Sequence, residues 1–252
     1  MSSGILQSDA ETSSRGEPFA APGRISRLRI AEIFHSVQGE GAFAGVGSVF
    51  VRLTGCNLRC WFCDTPYTSW EPEGSFYSTD DVMDEVARYR CHHVVVTGGE
   101  PLLQGDVVPL THALCDAGYF VTVETAGTVY QPIAAHLVSL SPKRANSRPD
   151  DEQWSSRHES VRDNPDVMKR FLNEYACQLK FVIDQPVDVD DVLTYLENYP
   201  AFPRERIYLM PQGVTSDDLS TRMQWLAPRA AELGVMVSPR MHIERFGNRR
   251  GT

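Results

Sequence analysis

Residues 49–63 read Val49-Phe50-Val51-Arg52-Leu53-Thr54-Gly55-Cys56-Asn57-Leu58-Arg59-Cys60-Trp61-Phe62-Cys63. The first five are apolar apart from one arginine, two of them β-branched, which reads as a strand that stops at Thr54-Gly55. The next eight hold three thiols at spacings x3 and x2. The thiols therefore sit in the loop leaving a strand. Thiolates are soft ligands that suit zinc or an iron–sulfur cluster. A structural zinc site takes four protein ligands, and no fourth stands nearby: His35, His92 and His93 are distant, and Cys91, Cys115 and Cys177 are scattered. Three thiolates on a four-iron cluster leave one iron open to an outside ligand. On spacing alone, a zinc loop with a remote fourth ligand stays as the alternative.

Outward from the loop, the chain alternates. Upstream, Leu28, Ile30, Ile33 and Phe34 enter a strand-like run. Downstream, Thr79-Asp80-Asp81 reads as N-cap and acidic first turn of a helix carrying Val82, Met83, Val86 and Ala87. Val94–Val96 reads as a strand, Val107, Leu110 and Leu114 as a helix ending at Gly118, and 120–123 and 137–140 as strands. Strands over 179–183, 207–210 and 235–237 then alternate with helices over 189–196 and 217–233. This pattern predicts an α/β fold with a mostly parallel, helix-covered sheet and right-handed crossovers. The alternation leaves open whether the sheet is flat or curls towards a barrel, but either way functional groups belong at C-terminal strand ends. Residues 143–164, rich in Arg, Ser, Asp, Glu and Pro, interrupt the alternation and read as a mobile surface insertion. Residues 1–24 read as a disordered tail ahead of one domain over 25–252.

Composition narrows the function. The chain has 252 residues, 42% hydrophobic and 23% charged, enough to bury a core. It shows neither a membrane-spanning apolar run nor a secretory signal over Met1–Gly23. With 24 basic and 33 acidic side chains the net charge is -9, which disfavours direct nucleic-acid binding. Six cysteines are too few for a disulfide scaffold. A reducing cytoplasm is the expected compartment, where clustered cysteines suggest metal.

Other segments are weak alone. Thr97-Gly98-Gly99-Glu100-Pro101 ends a strand with two glycines, which let a ligand approach the backbone, and a carboxylate able to accept from an ammonium group. An ordinary strand-to-helix turn reads the same way. Glu124 and Ser141-Pro142-Lys143 also end strands, and equally suit a solvated carboxylate and a strand breaker. Val37-Gln38-Gly39-Glu40-Gly41 forms a polar, close-approach loop suited to a heterocycle's donors and acceptors, or a plain hairpin connection.

Together these segments are specific. Cys56-x3-Cys60-x2-Cys63, with an aromatic residue before the last cysteine, resembles the signature loop of radical S-adenosylmethionine enzymes. The Gly-Gly-Glu-Pro segment 35 residues beyond Cys63 resembles the superfamily motif holding the amino group of S-adenosylmethionine. Adding Glu32–Gly41, Arg52, Cys63-Asp64-Thr65-Pro66 and His242-Ile243-Glu244-Arg245-Phe246-Gly247, residues 28–252 are similar to the 7-carboxy-7-deazaguanine synthase family.

That resemblance implies a partial, open (β/α) barrel of about six parallel strands. It implies a lyase that converts 6-carboxy-5,6,7,8-tetrahydropterin to 7-carboxy-7-deazaguanine with release of ammonia, a step towards queuosine. Cys56, Cys60 and Cys63 would hold a [4Fe–4S] cluster, and Thr65 would contact Mg²⁺. S-adenosylmethionine would lie against Phe62, Asp64, Gly98, Gly99, Glu100, Glu124, Ser141, Pro142, Lys143, Met210, Pro211, Gln212 and Gly213. Val37, Gln38, Gly39, Glu40, Arg52, Thr97 and Thr252 would touch the pterin, with the Arg52 fork on its carboxylate; an outward-facing strand residue is the plain reading of Arg52. A flavodoxin- or ferredoxin-like electron donor and a homodimer are the implied partners, with no direct nucleic acid and no membrane. The competing readings are an activating enzyme for a glycyl radical partner and a non-catalytic zinc- or cluster-binding module. Against the first, Cys91, Cys115 and Cys177 form no extra ferredoxin-type set.

Overall fold

A computed structural model describes residues 27–252, so the tail expected over 1–24 lies outside the described residues. The strands are β1 (Leu28–Val37), β2 (Gly47–Leu53), β3 (Ser75–Tyr77), β4 (His93–Gly98), β5 (Phe120–Thr125), β6 (Leu137–Leu140), β7 (Cys177–Ile183), β8 (Ile207–Pro211) and β9 (Met236–Val237). The helices are α1 (Pro66–Ser69), α2 (Thr79–Ala87), α3 (Val107–Asp116), α4 (Glu152–Val161), α5 (Pro165–Glu174), α6 (Pro186–Leu196), α7 (Ser216–Leu233) and α8 (Met241–Phe246). The sheet runs β3-β1-β2-β4-β5-β6-β7-β8-β9. From β2 to β9 every neighbouring pair is parallel, which makes seven parallel strands, the last only two residues long. β1 is antiparallel to both β2 and β3. The order has two free ends, so the expected mostly parallel, open sheet is what forms.

The wholly apolar run in β4 is explained by burial on both faces. Val94 and Val96 join the large core under the helices, with Leu110 and Leu114 of α3 and Val86 of α2. Val95 points the other way, into a small cluster with Phe34 and Phe50 whose rings stack 5.1 Å apart. The sheet thus has a helix-covered outer face and an inner face facing a cleft. Among the described residues no helix is long and apolar enough to cross a membrane.

Two local expectations change. The N-cap of α2 is Ser78, not Thr79: Ser78 Oγ accepts from the Asp81 amide at 3.1 Å, and the Asp81 carboxylate accepts from the Ser78 amide at 2.8 Å. This reciprocal capping box satisfies two helix-end donors at once. Residues 143–164, expected as a mobile surface insertion, form a 3-10 turn over Ala145–Ser147 and the whole of α4. Ser147, Ser155 and His158 are buried there. The polar composition misleads because these groups bond one another: His158 Nε2 and Ser147 Oγ lie 2.8 Å apart, and Asp151 caps α4 through the Trp154 amide at 2.9 Å.

The ends of β2 and β4 meet closely. Gly98 has φ +143°, and a Cβ there would lie 2.0 Å from the Leu53 carbonyl oxygen; at Gly99 it would lie 2.3 Å from that of Gly55. The Gly99 amide donates to Leu53 O at 3.2 Å and the Glu100 amide to Gly55 O at 2.8 Å. Gly98→Ala should therefore combine backbone strain with overpacking and cost roughly 3 kcal/mol or more. Gly105→Ala, where nothing lies within 4 Å, should stay within about 0.5 kcal/mol of the parent. Denaturant unfolding of both variants checks the difference.

Candidate functional site

A cleft of about 470 Å³ opens at the C-terminal ends of β2, β4, β5, β6, β7 and β8. Cys56, Cys60 and Cys63 all line it, on the loop between β2 and α1. That loop is clamped from two sides. From α1, the Trp70 indole donates to Cys60 O at 3.2 Å and Thr68 O accepts from the Gly55 amide at 2.8 Å. From the 143–164 segment, His158 Nδ1 accepts from the Arg59 amide at 3.2 Å and Ser147 O from the Trp61 amide at 3.3 Å. The Arg59 guanidinium also stacks 4.2 Å above the Trp154 ring. With Nδ1 accepting, the imidazole of His158 carries its proton on Nε2, towards Ser147.

The three cysteines are free thiols, and their sulfurs are not gathered within 4.8 Å of one another as ligands of one ion would be. Tetrahedral zinc with 2.3 Å bonds would draw them to about 3.8 Å. Three thiolates along one cleft are the donor set that a four-iron cluster takes, with one iron left for an outside ligand. Burial pushes the Cys56 and Cys60 thiols up to about 12, opposed by the Leu58 amide on Cys56 and the Lys143 ammonium near both. Without a metal these sulfurs stay protonated, so cluster loading must displace protons.

A chain of alternating charges lines the same cleft. Glu40 pairs with Lys180 and, at 3.3 Å, with Arg240, which reaches on to Asp64. Lys180 also lies 3.6 Å from Glu124. Burial alone would raise the Glu40 carboxyl, but the Lys180 and Arg240 charges outweigh it and hold the group well below the carboxylate range. Lys180 is only 4% exposed; burial would lower its pKa, yet Glu124 and Glu40 raise it, so it stays charged. His242, 3.9 Å from Glu40, is driven mainly by burial below its ordinary value and is neutral. Glu124 is held as an acceptor by Gln38 Nε2 at 3.1 Å and Thr97 Oγ1 at 2.9 Å.

The residues expected at the site gather in this one cleft with four exceptions. Lining it are the three cysteines and Thr65; Phe62, Asp64, Gly98, Gly99, Glu124, Ser141, Lys143, Met210 and Gln212; and Val37, Gln38, Gly39, Glu40, Arg52, Thr97 and Thr252. Glu100, Pro142, Pro211 and Gly213 are not among the lining residues. Glu100 is 1% exposed and turned inward. Its carboxylate accepts from Thr125 Oγ1 and the Ala126 amide, each at 2.8 Å, and from the Leu102 amide at 3.2 Å. It braces the strand ends, with three chain donors on a carboxylate that has about four acceptor sites. Gly98 and Gly99 admit neighbouring carbonyls as well as facing the cleft. Arg52 points into the cleft with Nε on Glu32 at 2.8 Å, so the outward reading does not hold.

Lys180, Arg240, His242, Tyr67, Arg249 and Arg250 also line the cleft, and sequence reasoning did not assign them. Lys180 carried a signal: β7 alternates, with Leu179, Phe181 and Ile183 in the helix-side core, so Gln178 and Lys180 must face inward. Glu40, Asp64 and His242 offer ligand atoms within 4.8 Å of one another, but Arg240 already bridges the two carboxylates and supplies the cation there.

This wall of three thiols beside a strand-end Gly-Gly is that of a radical S-adenosylmethionine enzyme, and the Radical SAM superfamily model matches residues 50–146. Members of that superfamily carry a [4Fe–4S] cluster and S-adenosylmethionine. The 7-carboxy-7-deazaguanine synthase of Rhodopirellula baltica is 44% identical over 90% of each chain, and that of Halobacterium salinarum 42% identical over 86% of this chain and 89% of its own. The crystal structure of QueE from Escherichia coli superposes with a TM-score of 0.63 at 25% identity, covering 84% of this chain and 93% of that one. The chain belongs to the 7-carboxy-7-deazaguanine synthase family.

The clamp on the cysteine loop is pH-dependent. Burial lowers the pKa of His158 from 6.5 to about 4, with nearby Arg162 and Lys143 adding to it. A group depressed on folding lends stability that is complete above its unfolded value and lost as pH falls through the folded one. The chain should lose up to about 3 kcal/mol between pH 6.5 and 4 through this histidine. Thermal unfolding across that window checks it: the slope should flatten in His158→Gln.

Proposed function

We propose that this cleft binds S-adenosylmethionine and 6-carboxy-5,6,7,8-tetrahydropterin together and yields 7-carboxy-7-deazaguanine and ammonia. The observation carrying this reading is that the three-thiol loop and the charged wall of Glu40, Glu124, Lys180 and Arg240 open into the same cavity. A [4Fe–4S] cluster on Cys56, Cys60 and Cys63 would supply the one-electron cleavage of S-adenosylmethionine that starts the reaction.

The chain's own residues would then do the positioning. Glu124, fixed by Gln38 and Thr97, offers a carboxylate to the donor edge of a pterin. Arg52 keeps its terminal guanidinium nitrogens available while Glu32 holds Nε, and these suit the substrate carboxylate. Lys180, Glu40, Arg240 and Asp64 fix one another by direct pairing and so present an oriented field to the cleft. Neutral His242 is able to accept a proton at the cleft wall. The Thr65 hydroxyl, next in the chain to Asp64, would offer Mg²⁺ an oxygen ligand of the kind it prefers. A homodimer and a flavodoxin- or ferredoxin-like electron donor belong to the same reading.

Anaerobic protein reconstituted with iron and sulfide, then given dithionite, S-adenosylmethionine, Mg²⁺ and the carboxy-tetrahydropterin, should form 7-carboxy-7-deazaguanine detectable by mass spectrometry. Cys60→Ala should abolish product. Arg52→Lys should lower kcat/KM about 10- to 100-fold, because a point charge replaces a fork. Chelation of Mg²⁺ should slow turnover. Cleavage of S-adenosylmethionine without the deazaguanine would overturn the substrate assignment, and stoichiometric zinc in place of iron would overturn the whole reading.

A further inference from the structure

Helix α1 ends on Ser69, which follows the cysteine loop by six residues and is 3% exposed. Its Oγ lies 3.2 Å from Cys63 Sγ. Neighbouring contacts fix the backbone that carries it: Thr68 O accepts from the Gly55 amide, Thr68 Oγ1 donates to Thr65 O at 2.9 Å, and the Trp70 indole donates to Cys60 O. Among the described residues the Ser69 hydroxyl has no other hydrogen-bond partner. A buried hydroxyl with one neighbour is committed to that neighbour. As a free thiol, Cys63 could stand on either side of this bond. As a metal-bound thiolate it has no proton to give, so Ser69 must be the donor.

Direction then decides consequence. Adding one electron to a thiolate-ligated cluster increases the negative charge shared by the sulfurs. A donor to a ligand sulfur stabilises the electron-richer state more than the oxidised one, and burial strengthens the effect. The Leu58 amide, 3.4 Å from Cys56 Sγ, is a longer contact of the same kind. Thr65 Oγ1 lies farther from Cys63 Sγ, at 3.8 Å, and has Thr68 Oγ1 3.4 Å away as another partner. Ser69 is therefore the best placed hydroxyl at this sulfur.

We propose that Ser69 is a positioning residue that raises the reduction potential of the cluster by donating a hydrogen bond to the Cys63 thiolate. It thereby sets how strong an external one-electron reductant must be to reduce the cluster. This rests on the cluster assignment made above.

The test is a redox titration, followed by electron paramagnetic resonance, of anaerobically reconstituted protein with dithionite as electron source. Ser69→Ala should keep four irons per chain. At fixed potential it should hold up to about tenfold less reduced cluster, a negative shift approaching 59 mV for one electron. Ser69→Thr, which keeps the hydroxyl, should return the midpoint to the parent's. A full cluster with an unshifted midpoint in Ser69→Ala overturns the proposal. So does a Ser69→Ala chain that folds but binds no iron, since that assigns the hydroxyl to assembly. A further measurement compares the two proteins: the reduced parent cluster should show an exchangeable-proton hyperfine coupling that Ser69→Ala loses, and the same coupling in both overturns the proposal. Failure of the cluster assignment itself is distinguishable, because the parent protein would then show no four-iron signal.

Discussion

The cysteine loop is positioned by the contact between the end of β2 and the end of β4. Without side chains at Gly98 and Gly99, the carbonyls of Leu53 and Gly55 come close enough to accept from the amides of Gly99 and Glu100. Glu100 then carries the connection across the sheet, its buried carboxylate accepting from Leu102, Thr125 and Ala126. Burial raises the pKa of that carboxyl while the three donors oppose the rise. One glycine pair and one carboxylate thus join β2, β4 and β5 beside the cleft that the thiols and Glu124 line. The strand ends are rigid because their polar groups are used up on one another, which suits a site that must hold two ligands in fixed relation.

The charged wall meets a different physical demand. Lys180, Arg240 and Glu40 are all largely out of water, and each alone would cost several kcal/mol. The alternation Glu124–Lys180–Glu40–Arg240–Asp64 gives each charge an opposite neighbour. Arg240 is pinned further by the Gly213 carbonyl at 2.5 Å. Gly213 does not line the cleft but meets the charged chain through its backbone carbonyl. An ion set so fully paired contributes orientation more than stability.

What the sequence made legible follows from where the information sits. The thiols, the Gly-Gly and the polar loop over 37–41 are contiguous motifs, so residue type and spacing carry them. The direction a side chain takes from such a motif is not contiguous information. Glu100 shares its motif with cleft-lining glycines yet turns inward, because Thr125 and Ala126, brought alongside by β5, offer it donors. Lys180 and Arg240 belong to no local motif and reach the cleft only because β7 and the segment before α8 bring them beside Glu40. The 143–164 segment was illegible for a related reason: hydrophobicity measures affinity for water and does not see polar groups that bond each other. Ser147, His158 and Ser155 are buried on such bonds, and the cysteine loop rests on them.

The open sheet and the enclosed site are reconciled at the same place. β9 is a free edge, and β1 is separated from the other edge only by β3, so no strand pairing closes a barrel. Yet the loop after β1 touches the chain after β9 repeatedly. The Gly41 amide donates to Ser238 Oγ at 2.9 Å, the Met241 amide donates to Gly39 O at 3.1 Å, and Arg240 reaches Glu40. At Gly39 a Cβ would lie 2.0 Å from His242 Nδ1, so that glycine is what lets α8 seat its histidine against the loop. The sheet must therefore curl far enough to bring residues 200 positions apart into hydrogen-bond range, with loop contacts in place of the missing strands. A gap bridged by loops can widen without breaking a ladder of strand hydrogen bonds, whereas a closed barrel cannot, and the mouth lies where two ligands must enter.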